Sequence, residues 1–532
     1  MPVPQLHQTY AAAVPDLSVP WQADAVPGAR IAWLNEELAQ ELGYDPDWLR
    51  SPAGLALLTG QLDADGTPRP NDTPRPSDAL DPGGAPAPLP PDAPFTTAQV
   101  YAGHQFGQAN PQLGDGRAVL LGDLVDTRGH RRDLHLKGSG RTPFSRAGDG
   151  KAPLGPMLRE AVIGESLHAL GVPTTRALAV VATGERIRPR RGITPEPGAV
   201  LTRVADSHLR VGTFEYAAWH LGPEAVRTLA DHAIDRHHPA VREEAQPYLG
   251  LLREVSEAQA RLVAQWMLLG FVHGVMNTDN MTISGQGIDY GPCAFLDEHR
   301  ARAVFSSIDQ QGRYAYGNQP GIALWNLSRF AETLLPLLHA EPQQGIEAAT
   351  AVLEGYEGAY LDAWTRGMAA KLGLRAQSPE LRRDIRVLGE DLLALLESQR
   401  IDHTGFFRAL GEGRDAESAR ELFATPEAFD AWEQRRQALR GAAVPDAPAT
   451  SAAPIAPAAS AVPAAPGASA NPVIIPRNVH LESALRAAHL GDLSEVETMI
   501  EAVSHPFDRR PEWAHLEGPG DGGDAFMTFC GT

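Results

Sequence analysis

The apolar run Val263–Met276 (VAQWMLLGFVHGVM) is the most hydrophobic stretch of the chain and constrains its fold more than any other feature. It is too short to cross a bilayer, which takes about 20 apolar residues. It reads instead as the end of a strongly apolar helix, Glu257–Met276, belonging to a large buried core. That helix runs directly into polar residues, His273-Gly274-Val275-Met276-Asn277-Thr278-Asp279-Asn280, and Ile288-Asp289-Tyr290-Gly291-Pro292 follows shortly after.

The chain is long enough to supply such a core: 532 residues, 43% of them hydrophobic, which also suggests more than one domain. Its formal charge of −20 argues against nucleic acid as a partner, because phosphate backbones need a basic face. Any polyphosphate site must therefore be a local concentration of Arg and Lys. Cysteine is sparse, with only Cys293 and Cys530. That excludes a disulfide framework or a Cys-rich zinc site and fits a reducing compartment. Met1–Val14 carries no basic segment followed by an apolar one, so no secretory signal is read, and a cytoplasmic location without membrane attachment is expected.

Two segments look like linkers. Asp63–Pro94 is dense in Pro, Asp and Gly, and Ala442–Pro472 is an Ala/Pro/Ser run of the kind that forms a solvated spacer. They divide the chain into an N-terminal extension packing on the core (1–62), a Pro-rich insertion (63–94), a nucleotide-binding lobe (95–215), a helical lobe with the catalytic and metal site (216–441), the spacer (442–472) and a helical, Cys-containing tail (473–532). In the first lobe Ala118–Val125 and Arg131–Lys137 flank the turn Asp126–His130 as a hairpin. A Gly-rich loop, Gly138–Gly150, leads to a helix over Met157–Leu170, with Leu158, Ala161, Val162 and Leu167 at helical spacing and Gly171 as its stop. Val180–Ile187 and Ala199–Val204 read as strands. Thereafter the pattern is helical, at Trp325–Leu338, Ile346–Leu372 and Pro379–Leu396. A small strand-rich half before a large helical half is a two-lobed α+β pattern.

Four groups carry candidate chemistry. Gly114-Asp115-Gly116-Arg117 enters a strand, where glycines let backbone N–H groups approach phosphate, although a G-D-G is also a common plain turn. Lys137 ends the next strand and Glu160 lies on the helix beyond the loop, the arrangement by which kinases fix a cation against nucleotide phosphates. Arg203 and Arg210 bracket a turn and suit a bidentate clamp on phosphate. The fourth group matches a kinase catalytic loop, H-x-D-x-x-x-x-N followed by D-F-G. Asn280 stands at the kinase Asn spacing from His273, and Asp289-Tyr290-Gly291 replaces D-F-G. The kinase base position, however, is Val275, which cannot accept a proton, and the available carboxylate is Asp279. His232, His237 and His238 have no ligand-spaced partners and read as a solvated helix face; His104 and the aromatic residues near it read as packing.

The segments YAGHQFGQANPQLGDGRA, HLKGSGRTPFSRAGDGKA, HGVMNTDNMTISG and IDYGPCAFLDEH closely resemble the selenoprotein O family, known in bacteria as YdiU. The similarity runs from Trp33-Leu34-Asn35 to Ile475–Asn478 and the C-terminal Cys. The resemblance implies a protein-kinase-like fold and a protein adenylyltransferase, which moves AMP from ATP to Ser, Thr or Tyr hydroxyls of target proteins and releases pyrophosphate. It implies ATP contacts at Gly114, Gly116, Arg117, Lys137, Asp149, Gly150, Arg203 and Arg210, with Glu160 pairing Lys137. Asp279 would be the proton acceptor, and Asn280 and Asp289 would hold Mg²⁺, with Mn²⁺ as the alternative metal; Asp289 would also face the nucleotide. The nucleotide would lie reversed relative to kinases, so that the α-phosphate meets the hydroxyl. Two other readings stay open on the residues alone: a kinase transferring the γ-phosphoryl group, against which Val275 counts, and a nucleotide-binding scaffold, against which the complete Lys/Glu/Asn/Asp set counts. A Cys293–Cys530 disulfide would pin the tail near the cleft. No heptad seam is visible, and a monomer is expected.

Overall fold

The structure, a computed structural model, describes residues 3–61, 95–188, 194–411, 416–442, 470–520 and 526–528. The insertion 63–94, residues 443–469 of the spacer and Cys530 lie outside the described residues.

The first half is a twisted antiparallel sheet. Its strands are β1 (Ser18–Pro20), β2 (Arg30–Leu34), β3 (Thr97–Gln99), β6 (Ala118–Val125), β7 (Arg131–Lys137), β9 (Arg176–Ile187) and β10 (Glu196–Ala205), with the short β8 (Ala152–Pro153) beside β10. The order across the sheet is β1-β3-β6-β7-β10-β9-β2, so the N-terminal segment supplies both edges. A separate hairpin, β4 (Gly103–Gln105) and β5 (Gln108–Asn110), leaves the sheet after β3.

Side-chain alternation explains the two faces. Val119, Leu121, Leu134, Leu136, Val181 and Val200 pack with Leu38, Leu49, Leu57 and Leu58 in an outer core. Leu120, Val180, Ala199 and Leu201 point the other way, into the main core. On β7 the same alternation puts Asp133, His135 and Lys137 opposite Leu134 and Leu136. Register then sets Arg203 of β10 directly across from His135, and Leu201 across from Lys137. Polar residues buried on an inner sheet face need partners, and they find them in the cleft described below.

The helix carrying Glu160 runs Leu154–Ala169, three residues earlier than its periodicity suggests. Pro156 lies in the first turn, where its missing N–H costs nothing because that turn has no intrahelical acceptor for it. Leu158, Ala161, Val162 and Leu167 are all buried. The second half is mainly helical. The apolar helix spans Pro247–Leu269, not Glu257–Met276. Gly270 caps it in a left-handed conformation (φ 69°), and Phe271–Val272 forms a strand, β11, paired with β12 (Ala294–Phe295). A short apolar run fits helix and strand alike by periodicity, so the sequence overran the cap. Helices Gln319–Leu338, Pro342–Lys371 and Pro379–Ser398 complete this half. Helices Asn478–His489 and Ser494–Ser504 of the tail pack back onto the Glu160 helix.

The histidine group is not solvated. His237 Nε2 lies 2.7 Å from Ser207 Oγ, and His232 packs edge-on against Tyr10. Burial lowers the pKa of His232, His237 and His238 alike. Among the described residues no helix is long and apolar enough to cross a membrane.

Candidate active site

Residues far apart in sequence meet between the sheet and the helical half. Lys137 Nζ lies 2.6 Å from Glu160 Oε2 and 2.5 Å from Asp289 Oδ1. Arg203 Nη1 reaches the same two carboxylates, at 3.3 Å from Glu160 Oε1 and 2.8 Å from Asp289 Oδ1. Arg210 adds a third cation, 3.5 Å from Asp289 Oδ2, and donates from Nη1 to the Asp279 carbonyl at 3.0 Å. Burial opposes ionisation of Asp289, but Lys137, Arg203 and Arg210 outweigh it and hold its carboxyl well below the usual range. Asp289 itself sits at φ 64°, a left-handed conformation that a non-glycine residue adopts at a cost of about 1–3 kcal/mol and that gathers at functional sites.

Beneath the cluster lies a pair that the sequence reading passed over. His135 Nδ1 faces Arg203 Nη2 at 3.0 Å, and a guanidinium only donates, so Nδ1 must accept. The proton is therefore on Nε2, which donates to Asp115 Oδ2 at 2.9 Å. Burial keeps this imidazole neutral. Asp115 is buried, yet His135, Arg210 and the Gln99 N–H hold it ionised. Its visible signal was the G-D-G-R motif, in which the Asp is the counter-ion. Tyr101, which the reading also missed, stacks under Arg210 at 4.5 Å.

The catalytic-loop match has a structural basis. His273 Nε2 donates to the Ile288 carbonyl at 2.8 Å, clamping the residue before Asp289. Asn280 Nδ2 donates to the Val275 carbonyl at 3.0 Å, which leaves its side-chain oxygen as the remaining donor atom for a cation. Val275 is buried. Asp279 is 8% exposed, with its carboxyl pushed up to about 7 by burial against the pull of Arg210. Asp279 Oδ2 accepts from Gln105 Nε2 at 3.3 Å, whereas Oδ1 is buried with no partner among the described residues.

The glycine-loop residues frame this cluster. Gly114 packs against the Phe144 ring in a left-handed conformation, and the Arg117 carbonyl accepts from Gly138 N at 2.7 Å. Gly116 lies against Phe144 O, and Gly150 closes the loop by accepting from Gly140 N at 3.1 Å. Asp149 is the outlier: it is exposed, and its Oδ1 accepts from Lys151 N rather than joining the charge cluster. Cys293 is fully buried, donates to the Tyr290 carbonyl at 3.1 Å, and has its thiol pushed up to about 12 by burial.

Comparison with known proteins decides between the open readings. A sequence profile described as "Protein adenylyltransferase SelO" matches residues 10–504. The chain belongs to this family. Similar curated proteins include "Protein nucleotidyltransferase YdiU" of Mycobacterium sp. (strain KMS), 50% identical over 98% of each chain. The protein of the same description from Mycolicibacterium paratuberculosis is 49% identical over 99% of this chain and 98% of its own. Among solved structures, a Toxoplasma gondii rhoptry antigen kinase domain matches loosely: TM-score 0.24 and 11% identity over 56% of this chain and 84% of that one. It carries no weight beside the ion pairs above. The enzyme is thus a nucleotidyltransferase acting on protein, with ATP as its nucleotide, and the cleft between its sheet and its helical half serves adenylyl rather than γ-phosphoryl transfer.

Proposed function

We propose that the cleft between sheet and helical half is the adenylylation site, with Asp279 as proton acceptor. The observation that carries this reading is the convergence of Lys137, Arg203 and Arg210 on Asp289, beside a buried carboxylate with one oxygen unpartnered among the described residues. In an acidic protein such a concentration of cations suits a triphosphate. Gly114, Gly116, Arg117, Asp149 and Gly150 would line the same nucleotide, and Glu160 would keep Lys137 oriented.

The chemistry follows from these positions. The acceptor hydroxyl loses its proton to the Asp279 carboxylate as its oxygen bonds to the α-phosphorus, and the α–β bridging bond breaks to release pyrophosphate. A carboxyl pushed up to about 7 is a better base than an ordinary aspartate, and it still holds enough carboxylate to act near neutral pH. Lys137, Arg203 and Arg210 neutralise charge growing on the leaving group. Asn280 and Asp289 offer hard oxygen donors, which fit Mg²⁺ or Mn²⁺ held jointly with phosphate oxygens. When bound, such an ion polarises phosphate oxygens and shields their charge. We further infer a cytoplasmic monomer, from the sparse cysteines and the lack of a heptad seam.

Label transfer from ATP tests the reading, with label on the α- or γ-phosphate in parallel, for wild type and Asp279→Ala. Wild type is expected to incorporate α label only. Asp279→Ala is expected to lower kcat by about 10²- to 10⁴-fold with ATP affinity retained. A defect confined to ATP binding would remove Asp279 from the base role.

A further inference from the structure

The segment YAGHQFGQ is one of the longest motifs of the chain, and ATP binding leaves it without a role. In the structure it forms the β4–β5 hairpin, which lies on the catalytic loop residue against residue. His104 N donates to Thr278 Oγ1 at 2.6 Å, Gln105 Nε2 to Asp279 Oδ2 at 3.3 Å, and Phe106 N to Asn277 Oδ1 at 3.1 Å. Three consecutive hairpin residues thus hold three consecutive loop residues.

The seating is over-determined. Thr278 Oγ1 accepts from His104 N and donates to Glu215 Oε2 at 2.5 Å, while the other oxygen of Glu215 lies 2.5 Å from His104 Nδ1. This closed ring is walled by Trp219 and Trp325, edge-on to the His104 imidazole at 5.5 and 5.3 Å. The hairpin tip takes left-handed backbone at both Phe106 (φ 53°) and Gly107 (φ 81°), as a tight two-residue hairpin turn requires. For Phe that is strained, and the strain is held by bonds from Phe106 N to Asn277 and to Tyr314 OH, 3.0 Å away. At the other end, a Cβ on Gly103 would stand 2.9 Å from Asp279 Oδ1, inside contact distance. The hairpin backbone therefore approaches the catalytic carboxylate as closely as a glycine permits.

We propose that Gln105 is a positioning residue for adenylyl transfer: its amide anchors Asp279 Oδ2 and so fixes the orientation in which the carboxylate meets the acceptor hydroxyl. This rests on Asp279 being the base. A carboxylate free to rotate about its last bond presents either oxygen, or neither, to the hydroxyl, and misplacement of a reacting group by an ångström costs on the order of 10²-fold in rate. Locked between Gln105 and the Gly103 backbone, Asp279 has one orientation. The hairpin follows β3 in the chain but stands apart from the main sheet and seats on the loop itself.

The test is Gln105→Met, which removes the amide and keeps the length of the side chain, measured alone and combined with Asp279→Ala. Transfer of α-labelled AMP from ATP to bulk casein and to the chain itself is followed, with thermal unfolding as the fold control. The expected result is a fall in kcat of about 10- to 100-fold, with KM for ATP and melting temperature unchanged. In the Asp279→Ala background the same substitution is expected to cost nothing further. A full kcat in Gln105→Met, with Asp279→Ala impaired, would overturn the inference and leave the base assignment standing. So would a loss carried by KM or by melting temperature, or an equal loss in both backgrounds. An Asp279→Ala enzyme as active as wild type would remove the base reading and this one with it.

Discussion

Asp289 is held by three cations, and the effect of removing its charge can be worked from their distances. Its oxygens lie 2.5 Å from Lys137 Nζ, 2.8 Å from Arg203 Nη1 and 3.5 Å from Arg210 Nη1. At an effective dielectric constant of ~20, each contact is a gross attraction of about 5–7 kcal/mol. Desolvation of the ions offsets most of that. What Asp289→Asn leaves behind is one uncompensated, buried positive charge, a loss of about 3–5 kcal/mol. The nucleotide-free variant is therefore expected to melt below wild type. A polyphosphate is another counter-ion for the same cations. With metal chelated, ATP must displace the carboxylate in wild type but not in the variant, so only the variant recovers part of its loss on binding. Recovery of a third, about 1.4 kcal/mol, is a tenfold gain in metal-free ATP affinity. Calorimetric titration in EDTA reads this directly. With Mg²⁺ restored, the variant is expected to bind ATP yet transfer no AMP. Equal or weaker metal-free affinity would refute the reasoning, because the three cations would then be structural partners of Asp289 and not phosphate ligands.

Two further outcomes concern the scaffold. Arg477 is 1% exposed and bridges Asp297 at 2.9 Å and Asp402 at 2.6 Å, joining the tail to the helical half. Arg477→Met leaves two partly buried carboxylates facing each other and is expected to cost about 3–5 kcal/mol, read as a lower midpoint in urea; an unchanged midpoint would mean the tail docks without this pair. Lys371 lies over the Phe407 ring at 4.2 Å with no ion pair among the described residues, and burial pushes its ammonium down to about 7. The unfolded chain then binds the extra proton between about pH 7 and 10.5, so stability rises with pH across that window by about 1.36 kcal/mol per unit. Lys371→Met removes this slope, and its melting-temperature advantage over wild type is expected to shrink from pH 7 to 9.5; a constant gap would show that Lys371 keeps its charge in that site across the window.

What the sequence made legible follows from how far apart the partners are. Leu134 and Leu136 alternate with Asp133, His135 and Lys137 within one strand, and the Lys137–Glu160 pair joins a strand to the next helix, so local periodicity suffices for both. Asp289 meets Lys137 across 152 positions, and Gln105 meets Asp279 across 174. No spacing rule reaches that far, and the first pair was accessible only through likeness to a family. Gln105 and Asp115 stood inside quoted motifs without a role, because a single sequence shows which residues stand together and not what lies opposite them. The overrun of the apolar helix past Gly270 has a related cause: Phe271 and Val272 are as apolar as the helix before them, and only pairing with Ala294 and Phe295 makes them a strand.

The same distances bear on why the base is displaced from the kinase position. Val275 points into the core, and its carbonyl is occupied by Asn280. A carboxylate there would be buried without the Gln105 amide or the approach of the Gly103 backbone. Four residues on, Asp279 lies under the hairpin, where one oxygen accepts from the Gln105 amide and the other is buried with no partner among the described residues. A base moved along the loop therefore needs a second element to orient it. If the β4–β5 hairpin is that element, Asp279 and Gln105 form one unit, and a Val275→Asp, Asp279→Val exchange is expected to give an enzyme that binds ATP but transfers neither AMP nor phosphate.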